Sequence, residues 1–424
     1  MFIHAALYEN IFLYRWRYFL QSNGSAKGSN ATETDIFLQN FVRKSDDNLS
    51  LFNKFLIDEL KYGKNRRIFY TKHSLSSNIH LKSLANVEQY LKDAQLSFSS
   101  FNNLNKEYPE DEELLFLELN TSFSTDRDVV NKIDMCFFKE IEGPEPTIPD
   151  QDRTILLNYI WIEIDLLDRA IYISCRPYPS DAMKKGYTME DVYNETKEKL
   201  RSIFDLVFVD SMQHSKHTLY KIYDKFIQNA ELPYRQQIER IEDNIFRTQT
   251  QILELLNIDM DSQMGRGIIT RYKRLLEREM ILNDLDTYNS YHTDRIALVK
   301  RIIVTDDTGA NANVLSGEEA GLDVAKIYLD IKETIEEVQK LDKLWVNWFI
   351  EDDGTFQTAE ASSEQISFFE EEEEQFDEKG KIYTLKTRFT CYNSYVEIAF
   401  LDKQSITKEV QEYVLSKFRE FEKT

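Results

Sequence analysis

A chain of 424 residues exceeds one ordinary domain, and at roughly 150 residues each two or three domains are expected. With 42% apolar and 30% charged residues it can bury a core, and its twelve glycines and seven prolines are too few for collagen-like or turn-dense all-β designs. Lys and Arg number 52 against 74 Asp and Glu, a net charge of −22, which disfavours wholesale coating of nucleic acid or of an anionic membrane.

Residues 11–20 alternate, with Phe12, Tyr14, Trp16 and Tyr18 opposite Arg15 and Arg17, and this period predicts a strand. A small polar stretch, 22–33, reads as a loop. Short helices are expected from Thr34 and over Leu49–Leu60, the second ended by Gly63. Arg67–Lys72 reads as a strand, and Ser83–Ala94 as a helix. Val129–Cys175 is the most β-like part of the chain. Thr154–Asp165 and Ala170–Arg176 carry bulky apolar groups on both faces, which predicts a sheet covered on both sides. A helix is expected over Met189–Phe204.

From Leu219 to Trp345 the apolar spacing is helical, with Pro233 suited to a helix's first turn. Tyr234, Ile238, Ile241, Ile245, Ile252 and Leu255 follow a four–three spacing, with Thr248 in the gap, which is the minimum for a coiled-coil seam. A second helix is expected from Ile268 toward Val304. A third follows Ser316, which with Glu319 fits a capping box, and runs to Trp345. Helices joined by short loops pack antiparallel, so this third of the chain is expected to fold back on itself as an arm or bundle. Alternation returns at Val346, Trp348 and Ile350, ahead of a hairpin turn at Asp352-Asp353-Gly354. Residues 351–380 hold twelve acidic residues against Lys379. Strands over 381–392 and 395–401 and a helix over 406–421 close the chain.

Cys136, Cys175 and Cys391 are isolated, with neither CxxC nor metal spacing, so reduced thiols in a cytoplasmic protein are expected. The first residues lack the pattern of a signal peptide, and no apolar run approaches the ~18 residues that would span a membrane. Phosphate-loop, GxSxG, HExxH and kinase motifs are missing. Gly265-Arg-Gly267 reads as a helix-connecting turn, and His214 with His217 as a solvated pair rather than a metal site. No cofactor and no metal are expected.

One constellation has catalytic flavour. Asp150 precedes a strand that carries Glu163 and Asp165, an arrangement similar to divalent-metal nucleases of the PD-(D/E)xK type, where such carboxylates hold Mg²⁺. Asp165 stands where those nucleases need a lysine, so surface and turn carboxylates are the favoured reading. Arg15, Arg17, Lys64, Arg66, Arg67 and Lys72 lie among aromatics, as a nucleic-acid or phosphate contact would require. They can equally pair with the chain's own acids. Glu370, Glu371, Glu372, Glu373 and Glu374 form either a solvated loop or a docking site for a basic partner.

These readings combine into an α+β protein with mixed or antiparallel sheet segments at both ends and a central antiparallel, coiled-coil-like helical arm or bundle. The expected domains are 1–213, 214–345 and 346–424, the last either separate or packed on the first. The expected function is a non-catalytic, cytoplasmic interaction or scaffold subunit, assembling with a protein partner through the arm or the acidic segment. The alternative is a nuclease-like effector acting on nucleic acid, compatible with a bacterial host-defence complex. No membrane association is expected.

Overall fold

The structure, a computed structural model, describes residues 5–64, 67–96, 100–124, 127–144, 154–284, 296–317, 321–322, 326–351, 382–402 and 405–423. It is a mixture of helix and antiparallel sheet, α+β as expected. Its contacts divide the chain into two compact units. The first comprises Met1–Met212 and Tyr392–Lys417; the second comprises Gln213–Asp352, Gly380–Cys391 and Phe418–Thr424.

The first unit opens with four helices, α1 (Ala5–Asn10), α2 (Leu13–Ser22), α3 (Ala31–Val42) and α4 (Asp46–Asp58), and α4 widens into a π turn over Glu59–Gly63. The strand expected at 11–20 is therefore a helix. Trp16, Phe19 and Leu20 are its buried residues, a three–four spacing that packing rewards more than the alternation of Tyr14 and Tyr18. At Gly63 a Cβ would stand 2.6 Å from Glu59 Oε2, so a side chain there would have to shift the carboxylate that pairs with Arg15.

The chain continues through β1 (Arg67–His73), α5 (Leu75–Leu81), α6 (Leu84–Asp93), β2 (Phe101–Asn102), β3 (Leu114–Ser124), β4 (Arg127–Glu142), β5 (Ile155–Asp165), β6 (Ala170–Cys175), α7 (Met189–Phe204) and β7 (Phe208–Val209). It returns later with β12 (Val396–Phe400). Strand order is β2-β3-β4-β5-β6-β1-β12, each neighbouring pair antiparallel, with β7 also lying antiparallel on β1. Period two decides the layers. Met135, Phe137, Ile160 and Ile162 face a core shared with α6 and α7, whereas Cys136, Phe138, Tyr159 and Trp161 face one shared with α1 to α4. The sheet is covered on both sides.

Helix α7 starts where chemistry requires it. The Asp191 amide donates to Thr188 Oγ1, and Asp191 Oδ2 accepts from the Thr188 amide in return, a full capping box. Thr188→Ala is expected to cost about 1 kcal/mol, and chemical denaturation of the intact chain checks it.

The second unit holds α8 (Met212–Arg240), α9 (Glu242–Leu255), α10 (Gln263–Asn283), β8 (Ala297–Thr305), β9 (Asn311–Leu315), α11 (Lys326–Val338), β10 (Lys343–Glu351) and β11 (Ile382–Cys391). Its strand order is β11-β10-β8-β9. Three expectations need correction. The helix expected from Ile268 toward Val304 is present as α10 to Asn283, but the residues at its expected end form β8, whose buried Ala297, Val299, Ile302 and Val304 pack as a pleated face paired to β10. The third helix ends at Val338, with Gln339 in the left-handed region at φ 51°, so Leu341 and Trp345 lie beyond it. Pro233 sits inside α8, whose buried Leu219, Ile222, Tyr223, Phe226, Tyr234 and Ile238 carry the helix through it.

The coiled-coil seam is not confirmed. The helix breaks at Ile241, and of the seam residues Tyr234, Ile238 and Ile245 are buried while Ile241, Ile252 and Leu255 are exposed. Around Trp348 the core is aromatic: Phe226 meets it edge-on at 5.5 Å between centroids, and its Nε1 donates to Thr387 Oγ1 at 2.8 Å. The turn at 352–354 and Glu319 of the expected capping box lie outside the described residues. No helix among the described residues is long and apolar enough to cross a membrane.

Candidate functional site

The sequence-selected residues do not converge. Asp150, Arg66 and Glu370–Glu374 lie outside the described residues. Asp165 closes the β5–β6 turn: its Oδ1 accepts from the amides of Leu167 at 2.9 Å and Asp168 at 3.0 Å. Its carboxylate is thus committed to a turn. The basic residues are spent on the chain itself. Arg15 pairs with buried Glu59 at 2.6 Å, Arg17 donates to the Ser29 carbonyl, and Arg67 pairs with Glu397. Lys64 donates to the Glu9 carbonyl at 2.7 Å and covers the Phe12 ring, and Lys72 on β1 is engaged as well.

Glu163 belongs to a different cluster from the one its sequence neighbours suggested. Register places it directly across from Asp134 on β4, and Lys61, from the π turn after α4, reaches between the two. Lys61 Nζ stands 2.6 Å from both Asp134 Oδ1 and Glu163 Oε2, and Lys132 Nζ is 2.7 Å from Glu163 Oε1. Trp161 Nε1 also donates to Asp134. Against the upward push of burial, Lys61 and then Lys132 hold the Glu163 carboxyl below its ordinary range. Two lysines and two carboxylates balance in charge, and a divalent cation here would have to displace Lys61. Among the described residues no group of three His, Cys, Asp or Glu side chains is placed to hold a metal. His217 Nδ1 lies 3.0 Å from the Gln339 carbonyl. The thiols of Cys136 and Cys175 are fully buried, and burial pushes Cys175 up to about 12, out of the reactive range.

A cavity of about 460 Å³ lies in the first unit between α7 and strands β4 and β5. Phe137, Ile160 and Val192 form its apolar floor. Its charged wall is assembled on Glu112, a non-glycine residue in the left-handed region at φ 62°. Lys139 Nζ lies 3.1 Å from Glu112 Oε1 and 3.1 Å from Glu195 Oε2. Lys199 Nζ lies 3.3 Å from Glu112 Oε2, donates to the Glu112 carbonyl at 3.1 Å, and stands 4.2 Å over the Phe137 ring. The hydrogen bond from Lys139 leads in holding the Glu112 carboxyl low, while burial holds the Lys199 ammonium below the ordinary lysine range. Glu112, Lys139 and Lys199 went unnoticed in the sequence, because they come from a turn, a strand and a helix far apart in the chain, and single charged residues in a charged chain carry no signal.

In the second unit the α9–α10 hairpin is the outstanding surface. Lys273 of α10 pairs with Glu242 at the start of α9, so the helices run antiparallel. Buried Ile245, Gln249 and Leu253 fill one side of α9. Near the turn, however, Leu255 is 84% exposed, Leu256 61% and Met264 64%, with Ile252, Ile241 and Phe246 also open. Residues 241–262 carry five acids, Glu242, Asp243, Glu254, Asp259 and Asp261, against Arg247. No family model matches the chain, and no curated protein matches it either.

Proposed function

We propose that the protein is a non-catalytic interaction subunit that docks a protein partner through the tip of the α9–α10 hairpin. The observation that carries this reading is the set of large apolar side chains, Ile252, Leu255, Leu256 and Met264, standing open at one end of a helical hairpin. Scattered exposed leucines are ordinary, but several around one turn form an anchor patch of the kind that interface cores use. The acidic flank, within a chain of net charge −22, selects a partner helix whose apolar face is bordered by Lys and Arg. The nucleic-acid reading draws less support, because the described basic candidates are engaged with carbonyls and carboxylates of the chain itself.

The test is a tagged pull-down from the native host at low and high salt, with unaltered protein and with Ile252→Asp/Leu255→Asp. A stoichiometric protein partner is expected, held more weakly at high salt and at least about tenfold more weakly by the variant, since burying either charge in an apolar contact costs well over 1.4 kcal/mol. Both positions are exposed, so the melting temperature should hold. Equal recovery of the partner by both proteins would move the site elsewhere, and copurifying nucleic acid without protein would favour the effector alternative.

A further inference from the structure

We infer that the cavity between α7 and strands β4 and β5 is a small-molecule site in which Lys199 captures a neutral aldehyde as an imine. This inference is independent of the hairpin surface. Volume comes first: about 460 Å³ is within the range of ligand pockets, roughly 300–1,000 Å³, and the floor of Phe137, Ile160 and Val192 suits an aromatic or branched apolar body. Charge comes second. Glu112 and Glu195 already balance Lys139 and Lys199, and Glu198 beside them is paired with Arg201 at 2.6 Å, so no unmatched cation is left to draw in a carboxylate ligand and an uncharged one is favoured.

Reactivity comes third. An amine becomes nucleophilic when apolar surroundings and a second cation disfavour its protonated form. Lys199 Nζ lies on the Phe137 ring face, burial lowers its basicity, Lys139 acts in the same direction, and Glu112 opposes both. The nitrogen lone pair attacks the carbonyl carbon, forming the C–N bond and a carbinolamine. Glu112 Oε2, 3.3 Å from Nζ, can carry a proton from nitrogen to the departing hydroxyl. The C–O bond then breaks, water leaves with both amine hydrogens, and the C=N bond remains. Nothing is oxidised or reduced.

Benzaldehyde is a suitable probe. The intact protein is exposed briefly to benzaldehyde with cyanoborohydride near neutral pH, which fixes any imine as a benzylamine, and peptide mapping then ranks the lysines. Lys199 is expected to be labelled several-fold ahead of exposed lysines. Benzyl alcohol, of similar size but without a carbonyl, should protect Lys199 and no other site. Ser202→Trp, placing an indole on the exposed rim, should reduce labelling of Lys199 to the level of surface lysines with the melting temperature unchanged. Uniform labelling across lysines overturns the inference. So does preferential labelling of Lys199 that benzyl alcohol does not slow, since the reaction would then owe nothing to the cavity. The benzyl alcohol arm needs no variant, so it decides even if Ser202→Trp fails to fold.

Discussion

Lys61→Met should destabilise the first unit by about 3–5 kcal/mol, because removing one partner of a buried ion pair leaves the others uncompensated. For a unit of this size that is a fall in melting temperature on the order of 10 °C. Methionine keeps the length of the side chain and its contact with the Tyr62 and Trp161 rings, over which Lys61 Nζ lies at 5.5 and 5.7 Å, so the loss reads charge rather than volume. What remains is Asp134 facing Glu163 across the β4–β5 ladder with Lys132 to one side. Adding Asp134→Asn and Glu163→Gln to Lys61→Met should recover more than half of the loss. A Lys61→Met chain within about 1 kcal/mol of the unaltered one would show that the cluster is worth no more than a surface pair.

The same cluster sets a pH dependence. The folded Glu163 carboxyl titrates below its ordinary value of 4.5, so its contribution is complete above that pH and is lost as pH falls through the folded value. Thermal melts in acid should therefore converge for Lys61→Met and the unaltered chain, since the variant has less of this contribution to lose.

Lys332→Met in the second unit should cost about 3 kcal/mol for the same reason, although the carboxyl it faces is shifted the opposite way to Glu163. Glu231 on α8 is fully buried; its Oε2 accepts from Lys332 and, at 2.7 Å, from Arg235, which also reaches Glu277 at 3.0 Å. Among the described residues no hydrogen-bond partner reaches its Oε1. Burial, only partly offset by Lys332, holds this carboxyl above its ordinary 4.5. Taking Lys332 away raises it further. A carboxyl raised by folding binds more protons folded than unfolded, so stability falls as pH rises from its ordinary value to the raised one. The deficit of Lys332→Met should accordingly be small in mild acid and grow toward mild alkali, as melting temperatures at the two pH values will show. Adding Glu231→Leu should restore most of it. A pH-independent deficit would mean that the loss is one of packing.

Local periodicity was informative wherever one face of an element is buried along its whole length. Helix α7 has the boundaries its pattern predicts, and β5 and β6 lie where their doubly apolar faces put them. It misled where a tertiary neighbour chose between two readings. The aromatics around Trp16 alternate and also recur at three and four, and packing of Trp16, Phe19 and Leu20 against α3 and α4 selected the helix. Ala297–Thr305 follows a long helical stretch, yet pairing to β10 and β9 made it a strand.

From the amino-acid sequence alone follow the α+β class, the helical character of the chain from Leu219 (though the expected stretch runs too far, to Trp345), the strong negative charge and the two-sided burial of the sheet, because each rests on composition or on neighbours within about ten residues. The constellations of charge were decided by tertiary structure. Glu163 meets Asp134 because of the β4–β5 register, and Lys61 joins them from a π turn some hundred residues away in the chain. Lys139 and Lys199 share Glu112 because α7 lies over β4. Which ionisable groups become neighbours is a property of register and packing, terms that act between residues far apart in sequence, and no local pattern encodes them.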